Sequence, residues 1–373
     1  MTNKERAAQI LKKLEEKHLN LYHSVSKERV QEFFESCEWE GLNEIQFDYN
    51  MLKLFALFKD AHTTFCACSK RLPNNFVFVQ GKAYMRRNGV FREIVSINNV
   101  EIDKVIDLFD EIVPYEVKEW RDVCISKKLG DAVCYQMFGI YGENGLDVLC
   151  KTENGLETFN TKLFSQEELD KLREEGKLQP ITQFLQKNYS YVIENGVLKL
   201  RYLRCQDDSE LSFKDFTREI ERLYKEGGFE GYILDIRNNG GGSSNVIMPF
   251  LRFVEKNNLS GVVLMNGNTF SSGFLCALDM KREAGATTVG ESCGMGKQHY
   301  GEVRKEVVDD REFYYCVKKF DYSDYFDYEG GFRPDVYAPK TIDDYNNNTD
   351  SQLEKAMEVL EDLIEERKQK QVE

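Results

Sequence analysis

One stretch, residues 231–297, constrains the fold of this chain of 373 residues more than any other. An apolar run at 231–236 ends in the sequence Arg-Asn-Asn-Gly-Gly-Gly at 237–242, and a helix-like run follows over 245–255. A buried strand that ends in glycines before a helix leaves backbone N–H groups unpaired and lets a ligand approach the main chain closely. We therefore expect this loop to offer amide groups to a ligand.

The same pattern is repeated further along the chain. A second apolar run at 261–265 leads through a turn to Ser271, Ser272 and Gly273, which begin a helix-like run. If both strand ends face one crevice, one offers amides and the other a hydroxyl, which is the minimum equipment for acyl transfer. A triple glycine is also typical of an ordinary loop, and a serine pair of a helix N-cap, so the local pattern leaves both interpretations open.

Four short motifs follow one another in the C-terminal half of the chain. The first reads Leu-Asp-Ile-Arg-Asn-Asn-Gly-Gly-Gly at 234–242, and the second reads Thr-Phe-Ser-Ser-Gly at 269–273. The third is Gly-Glu at 290–291, and the fourth is Gly-Gly-Phe-Arg-Pro-Asp at 330–335. In this order, the four motifs resemble those of the S41 serine peptidases, which include the C-terminal processing (tail-specific) proteases and the tricorn core protease. The resemblance covers the C-terminal half of the chain well and the N-terminal half loosely.

This resemblance, with the succession of strands and helices, implies an α/β protein with a ClpP/crotonase-like core. We expect an N-terminal helical region over 1–70, a β-rich PDZ-like or spacer domain over 71–185, the S41 catalytic core over 186–345 and a C-terminal helix over 346–373. Ser26 and Asp350 are predicted helix caps, and strands are predicted at 76–79 and 89–98. A charged helical connector is predicted over 165–188, and the Asn-Gly pair at 195–196 predicts a hairpin turn. Val-Ser-Ile-Asn-Asn-Val at 95–100 is similar to a PDZ strand and turn, but no glycine-rich carboxylate-binding loop accompanies it.

The resemblance also implies a nucleophile and an oxyanion hole. A serine hydroxyl is a weak nucleophile, which needs a base within reach and donors aimed at the developing oxyanion. Ser271 stands two places after Thr269, as the family serine does. Ser272 stays open as the alternative, because a slip of one residue in a Ser-Ser pair cannot be detected from the sequence. If Ser271 attacks, the amide of Ser272 and an amide of Gly240 or Gly241 would form the hole.

A histidine at the end of the N-terminal helical region is the preferred base. The sequence Asp-Ala-His-Thr at 60–63 is similar to the D-x-H-T motif of many S41 members, whose histidine is the general base in the tricorn-like branch. Glu329 lies just before the fourth motif, where the triad glutamate of that branch is found. Such a carboxylate fixes the imidazole tautomer and stabilises the imidazolium. The implied triad is Ser271, His62 and Glu329.

Two other bases stay open. The processing-protease branch uses a Ser-Lys dyad, for which Lys297 is the candidate, one residue out of register with that branch. His299 is a third candidate, although an exposed loop histidine is its ordinary interpretation. His18 lies on an apolar helix face and is interpreted as a packed or surface residue. The chain departs from the family at Phe274, where a glutamate usually follows the serine by three places.

Composition and charge exclude several classes of protein. Hydrophobic residues make up 41% of the chain and aromatic residues 12%, which indicates a globular protein. A formal net charge of −14 disfavours nucleic acid or a membrane surface as a partner, and no apolar run has the length of a membrane span. Without an apolar signal region, we expect a cytoplasmic protein with free thiols and without metal or organic cofactor.

The sequence therefore predicts a serine endopeptidase that hydrolyses peptide bonds in unstructured peptides or protein C-terminal tails through an acyl-enzyme on Ser271. A catalytically silent S41-fold binding protein for peptides or apolar ligands is one alternative, which Phe274 favours. A crotonase-like acyl-thioester hydrolase is another, because glycine-rich amide sites also suit a thioester oxyanion. The natural substrate is left open, as is whether the chain acts alone or as a homo-oligomer.

Overall fold

The computed structural model describes residues 1–165 and 187–372, together with 167, 168, 171 and 175. The chain divides into two compact units. The first unit comprises Met1–Thr182 and Lys297–Tyr328, and the second comprises Gln183–Gly296 and Glu329–Glu373. The domain boundaries predicted above stay predictions. The charged helical connector predicted over 165–188 lies almost wholly outside the described residues.

Helices and strands follow one another through both units. The first elements in chain order are α1 (Asn3–Lys17), α2 (Lys27–Ser36), α3 (Glu44–Leu57), β1 (Thr64–Phe65), β2 (Phe76–Val79), β3 (Lys82–Arg87), β4 (Val90–Ile97), β5 (Val100–Glu101), α4 (Ile102–Asp110), α5 (Lys118–Lys128), α6 (Ala132–Met137), β6 (Leu146–Thr152) and β7 (Gly155–Thr161). After residue 187 follow β8 (Tyr189–Glu194), β9 (Val197–Tyr202), α7 (Phe213–Lys225), β10 (Gly231–Asp235), α8 (Met248–Lys256), β11 (Ser260–Met265), α9 (Ser272–Ala284), β12 (Thr287–Gly290), β13 (Gln298–Val308), β14 (Arg311–Asp321), β15 (Val336–Tyr337), α10 (Ile342–Asn347) and α11 (Ser351–Val372).

The N-terminal part of the first unit is helical, as the periodicity of its apolar residues predicts. Ser26 caps α2 by accepting a hydrogen bond from the Arg29 N–H, so the predicted cap is confirmed. Thr2 and Asn43 cap α1 and α3 in the same way. Each helix turns an apolar face inward, and the buried side chains include Ile10, Leu14, Val30, Phe34, Phe47 and Phe55.

Antiparallel sheets complete the first unit. The strands β13 and β14 form a long hairpin, and β1 pairs with β14. A second sheet has the strand order β2-β3-β4-β6-β7, and the short β5 pairs with β4. The strands that the sequence predicts at 76–79 and 89–98 are therefore confirmed, with bounds that differ by one residue at most.

A mainly parallel sheet organises the second unit. Its strand order is β15-β12-β11-β10-β9-β8, and only β8 and β9 are antiparallel neighbours. These two strands form a hairpin whose turn residues, Asn195 and Gly196, have φ angles of 52° and 74°, which is the type I′ geometry that an Asn-Gly pair predicts. Since β10 and β11 are parallel neighbours, their carboxyl ends lie at one edge of the sheet.

Helices cover both faces of this sheet. Leu360 of α11 packs in one cluster with Ile233 and Val262 of the sheet. On the opposite face, the ring of Tyr232 meets that of Phe250 in α8, with centroids 5.4 Å apart. The predicted α/β class is thus confirmed. In the part of the chain that the structure describes, no helix combines the length and apolarity needed to cross a membrane.

Candidate active site

Ser271 stands at the junction between the turn after β11 and the first residue of α9. Its backbone angles, φ 53° and ψ −126°, lie in a region that residues with a Cβ atom rarely adopt. A serine on such a strained strand-to-helix turn is typical of a nucleophile elbow, because the turn lifts the hydroxyl out of the sheet edge. The conformation singles out Ser271 within the Ser-Ser pair.

The two serine hydroxyls have different surroundings. Ser272 is buried, and its Oγ donates a hydrogen bond to the carbonyl of Gly242 at 2.8 Å. Ser271 is partly exposed, and its hydroxyl makes no hydrogen bond to the described residues and does not cap α9. The helix-cap interpretation therefore does not account for Ser271, whereas Ser272 has a structural role in holding the glycine loop.

The glycine loop at 240–242 lies directly against this serine. A Cβ atom on Gly241 would lie 2.7 Å from the Cβ of Ser271 and 2.9 Å from the nitrogen of Ser272, so only glycine fits there. The N–H of Gly241 donates to the side chain of Asn239 at 2.9 Å. The N–H groups of Gly240 and Ser272 have no acceptor among the described residues, and they are the two predicted donors that an oxyanion could use.

Motif residues on both sides hold the loop and the elbow together. The buried Asn239 accepts the N–H of Phe270 through its carbonyl at 2.9 Å. The Thr269 hydroxyl donates to the carbonyl of Ile236 at 3.0 Å. A Cβ atom on Gly273 would lie 2.4 Å from the carbonyl oxygen of Asn239, which explains the glycine at this position. The motif therefore brings together two chain segments, residues 236–242 and 269–273.

Other motif residues anchor this edge of the sheet. Arg237 donates to both oxygens of Asp235, at 2.9 and 2.7 Å, and to both oxygens of Asp350, at 2.6 and 2.8 Å. Asp350 also accepts the N–H of Leu353, so it caps α11 as the sequence predicts. The arginine of the first motif thus joins the end of β10 to the start of α11, and its role is structural.

Phe274 stands where the S41 peptidases that the motifs resemble usually have a glutamate. Its side chain is fully buried and packs against Phe332 of the fourth motif, with ring centroids 5.8 Å apart in an edge-on arrangement. An aromatic pair therefore occupies this place, and Phe274 contributes no polar group near Ser271.

His62 lies in a turn that the carboxylate of Asp60 organises. Oδ1 of Asp60 accepts the N–H groups of His62 at 2.9 Å and Thr63 at 3.2 Å. Burial lowers the pKa of His62 to about 4, although the nearby Asp60 opposes this shift. The His62 ring stacks at 22° on that of His299, with centroids 6.0 Å apart.

Asp60 is itself held by residues that are distant in the chain. Its Oδ2 accepts hydrogen bonds from Nε2 of His18 at 2.8 Å and from the hydroxyl of Thr63 at 2.7 Å. Nδ1 of His18 accepts the N–H of Asn20 at 3.0 Å. Because a backbone amide can only donate, His18 is neutral and carries its proton on Nε2. The sequence showed His18 only as a residue on an apolar face.

The remaining candidates have different partners. Nζ of Lys297 donates to the carbonyl of Asp327 at 3.3 Å. His299 is buried in β13, so its interpretation as an exposed loop residue is wrong. It pairs with Phe320 of β14, and the two rings stack with centroids 5.3 Å apart. Glu329 is exposed, and its carbonyl accepts a hydrogen bond from Arg333 at 3.4 Å.

The predicted site residues are distributed over both units. His62, Lys297 and His299 belong to the first unit. Ser271, its glycine loop and Glu329 belong to the second. Within the units, the structure brings the serine and the loop amides together, and it brings the two histidines together.

Metal-ligand atom types occur close to Asp60. His18, Asp60 and Cys316 form one group, and Asp60, His62 and Glu116 form another, with donor atoms within 4.8 Å of one another in each. Both oxygens of Asp60 already accept hydrogen bonds from side chains and amides. We therefore assign this cluster to hydrogen bonding and derive no metal step from it.

The fold of this chain is similar to those of CPAF and of a candidate peptidase, as comparison with solved structures shows. Mature CPAF superposes with a TM-score of 0.67 at 12% sequence identity, with 98% of each chain covered. Mature CPAF complexed with lactacystin gives a TM-score of 0.65 at 12% identity, over 98% of this chain and 99% of that one. A candidate peptidase from Parabacteroides merdae gives 0.50 at 11% identity, over 96% and 97% of the two chains. No protein-family model and no curated protein sequence matches significantly.

Proposed function

We propose that this protein is a serine peptidase whose nucleophile is Ser271. The observation that carries the proposal is the backbone of Ser271, which is strained at φ 53° and ψ −126° and lies against the glycine loop. Strained residues of this kind persist where the surrounding structure forces them, and they cluster at active sites. Since the Ser271 hydroxyl has no hydrogen bond to the described residues, stability alone does not explain a serine there.

The backbone next to Ser271 is suited to stabilise an oxyanion. Attack of Oγ on a peptide carbonyl forms a C–O bond and places negative charge on the carbonyl oxygen. The N–H groups of Ser272 and Gly240, which have no acceptor among the described residues, are the proposed donors for that charge. The start of α9 adds a favourable dipole. Collapse of the intermediate releases the amine and leaves an acyl-enzyme, which water then hydrolyses.

His62 is the proposed general base, with Glu329 as its proposed orienting carboxylate, as in the tricorn-like branch. The lowered pKa of about 4 keeps the His62 imidazole neutral at physiological pH, so its ring can accept the proton of a serine hydroxyl. Lys297 is the base in the competing dyad proposal, and His299 is the third candidate. The motif at 60–63 favours His62.

The further features of the proposal follow the S41 resemblance. We propose that the parallel sheet of the second unit is a ClpP/crotonase-like core, and that the antiparallel sheet from β2 to β7 is a PDZ-like insert. The proposed substrates are unstructured peptides or protein C-terminal tails, cleaved in the cytoplasm without metal or organic cofactor. Nucleic acid and membranes are not proposed partners, given the net charge of −14.

Labelling with a fluorophosphonate probe, followed by mass-spectrometric mapping of the adduct, tests the nucleophile. We expect an adduct on Ser271, no adduct in Ser271→Ala, and an adduct that persists on Ser271 in the matched control Ser272→Ala. An adduct that maps to Ser272 would show that Ser272, and not Ser271, is the nucleophile. His62→Ala and Lys297→Ala distinguish the two bases, because only loss of the true base slows labelling.

Two other functions are possible outcomes of the same experiments. A folded protein that binds peptides but takes no label would be a catalytically silent binding protein. A protein that labels on Ser271 but cleaves acyl thioesters and not a peptide library would be a crotonase-like thioester hydrolase. Peptide cleavage that disappears in Ser271→Ala supports the peptidase.

A further inference from the structure

The carboxyl group of Glu116 contacts the turn that carries His62. Glu116 precedes α5, and its Oε2 accepts a hydrogen bond from the N–H of Ala61 at 3.1 Å. Glu116 thus fixes the backbone immediately before His62. No pattern in the sequence indicates this role of Glu116, because its partner lies 55 positions away in the chain.

The second oxygen of Glu116, Oε1, is buried and has no hydrogen-bond partner among the described residues. A carboxyl oxygen of Glu116, one of Asp60 and a ring nitrogen of His62 lie within 4.8 Å of one another. Asp60 has both oxygens committed to hydrogen bonds, whereas Oε1 of Glu116 has no partner among the described residues. A buried acceptor without a partner costs free energy, and such groups are found chiefly where they serve a function.

We propose that Glu116 is a positioning residue for His62. One carboxyl oxygen of Glu116 holds the backbone of the His62 turn, and the other oxygen responds to the charge of the imidazole. The inference rests on the proposed function, since it assigns a role in supporting the proposed base. It adds a second carboxyl to the one proposed at Glu329.

Several titratable groups surround this pair. Asp60 lies within 4.8 Å of both, His299 stacks on His62, and His18 and Cys316 contact Asp60. Burial and the Asp60 carboxylate raise the pKa of Glu116 well above its usual range. This shift favours the neutral form of Glu116 beside Asp60 and His62. Two ionised carboxylates would instead favour imidazolium, which cannot act as a base.

Histidine-selective 15N NMR tests the contact without any assay of activity. The chain has four histidines, and His62→Asn assigns the His62 signals by their disappearance. We expect the ring nitrogens of His62 to respond to two protonation events in the wild type, their own and that of Glu116. Glu116→Gln should remove the second event, and the exposed control Glu111→Gln should leave both. Identical His62 titrations in the wild type and Glu116→Gln would overturn the proposal.

Steady-state kinetics on a cleaved peptide test the role in the reaction. We expect Glu116→Ala to lower kcat at least tenfold with KM changed less than twofold, because the Ala61 N–H loses its acceptor and the His62 turn loosens. Glu116→Gln should recover most of that loss, since its amide oxygen still accepts the Ala61 N–H. A kcat in Glu116→Ala equal to that of the wild type would refute the positioning role.

The two experiments separate failure of this inference from failure of the proposed function. A wild-type protein that neither cleaves peptides nor takes the fluorophosphonate label would overturn the peptidase, while the NMR titration would still decide whether Glu116 and His62 are coupled. Circular dichroism and thermal unfolding of Glu116→Ala show whether it folds. If it does not, the Glu116→Gln titration carries the test.

Discussion

Replacing Ser271 by glycine is expected to stabilise the protein while removing its proposed nucleophile. The backbone at φ 53° and ψ −126° is strained for any residue with a Cβ atom, at a cost of about 1–3 kcal/mol. Glycine adopts such angles without strain, but its freedom in the unfolded chain costs about 0.5–1 kcal/mol. The net gain is about 1 kcal/mol, which raises Tm by about 2–4 °C for a cooperative unit of about 150–250 residues.

Ser271→Ala is the matched control for this prediction. Alanine lacks the hydroxyl, as glycine does, but it keeps the Cβ atom and hence the backbone strain. Since the Ser271 hydroxyl makes no hydrogen bond to the described residues, we expect Ser271→Ala to be as stable as the wild type. Ser272→Gly should instead lose about 1 kcal/mol or more, because it puts glycine in a helix and removes the 2.8 Å hydrogen bond to Gly242.

Urea denaturation and differential scanning calorimetry of the three variants measure these differences. The strain argument requires Ser271→Gly to unfold at a higher temperature than Ser271→Ala. If the glycine variant is equally stable or less stable, the backbone at this position carries no strain. The main support for Ser271 as nucleophile would then be lost.

Three other perturbations test the remaining parts of the site. Gly241→Ala should abolish fluorophosphonate labelling, because the Cβ of the alanine would lie 2.7 Å from that of Ser271. Normal labelling would show that the glycine loop can shift to accept the side chain. The pKa of His62 is lowered to about 4 in the folded state, against about 6.5 for an unfolded histidine, so the unfolded chain binds more protons between these values. The contribution of His62 to the free energy of unfolding is therefore fully present above about pH 6.5 and is lost as the pH falls toward 4. Between pH 7 and 5 the free energy of unfolding falls by about 2 kcal/mol. Urea titrations at both pH values should show a smaller loss in His62→Asn, and an equal loss would contradict the assignment. Arg237→Met should destabilise the second unit by about 2 kcal/mol, because two partly buried carboxylates, Asp235 and Asp350, lose their cation. An unchanged urea midpoint would show that these ion pairs do not anchor α11.

Local patterns predicted much of the architecture. The sequence predicts Ser26 and Asp350 as helix caps and the Asn195-Gly196 pair as a hairpin turn, because each depends on residues only a few positions apart. The glycine loop at 240–242 was also recognised as a place where a backbone approaches a ligand. In the structure, the residue that lies directly against Gly241 of this loop is Ser271.

The resemblance to the S41 motifs favours Ser271 over Ser272, but the sequence does not show the difference between their surroundings. That difference depends on a backbone conformation and on a hydrogen bond from Ser272 to Gly242, 30 positions away. The burial of His299 was likewise missed, because strand pairing with β14 determines it. No pattern in the sequence indicates that the Asn239 side chain accepts the N–H of Gly241, which was one of the predicted oxyanion donors.

The sequence by itself determined the helix caps, the glycine turns, the α/β class and the order of the S41-like motifs, because these depend on short-range chemistry and on the spacing of residue types. Only the tertiary structure decided which serine is strained, that His18 holds Asp60 from 42 positions away, and that Glu116 supports the His62 turn. Those features depend on burial and on hydrogen bonds between distant segments. Long-range packing alone creates them, and it also sets the lowered pKa of His62.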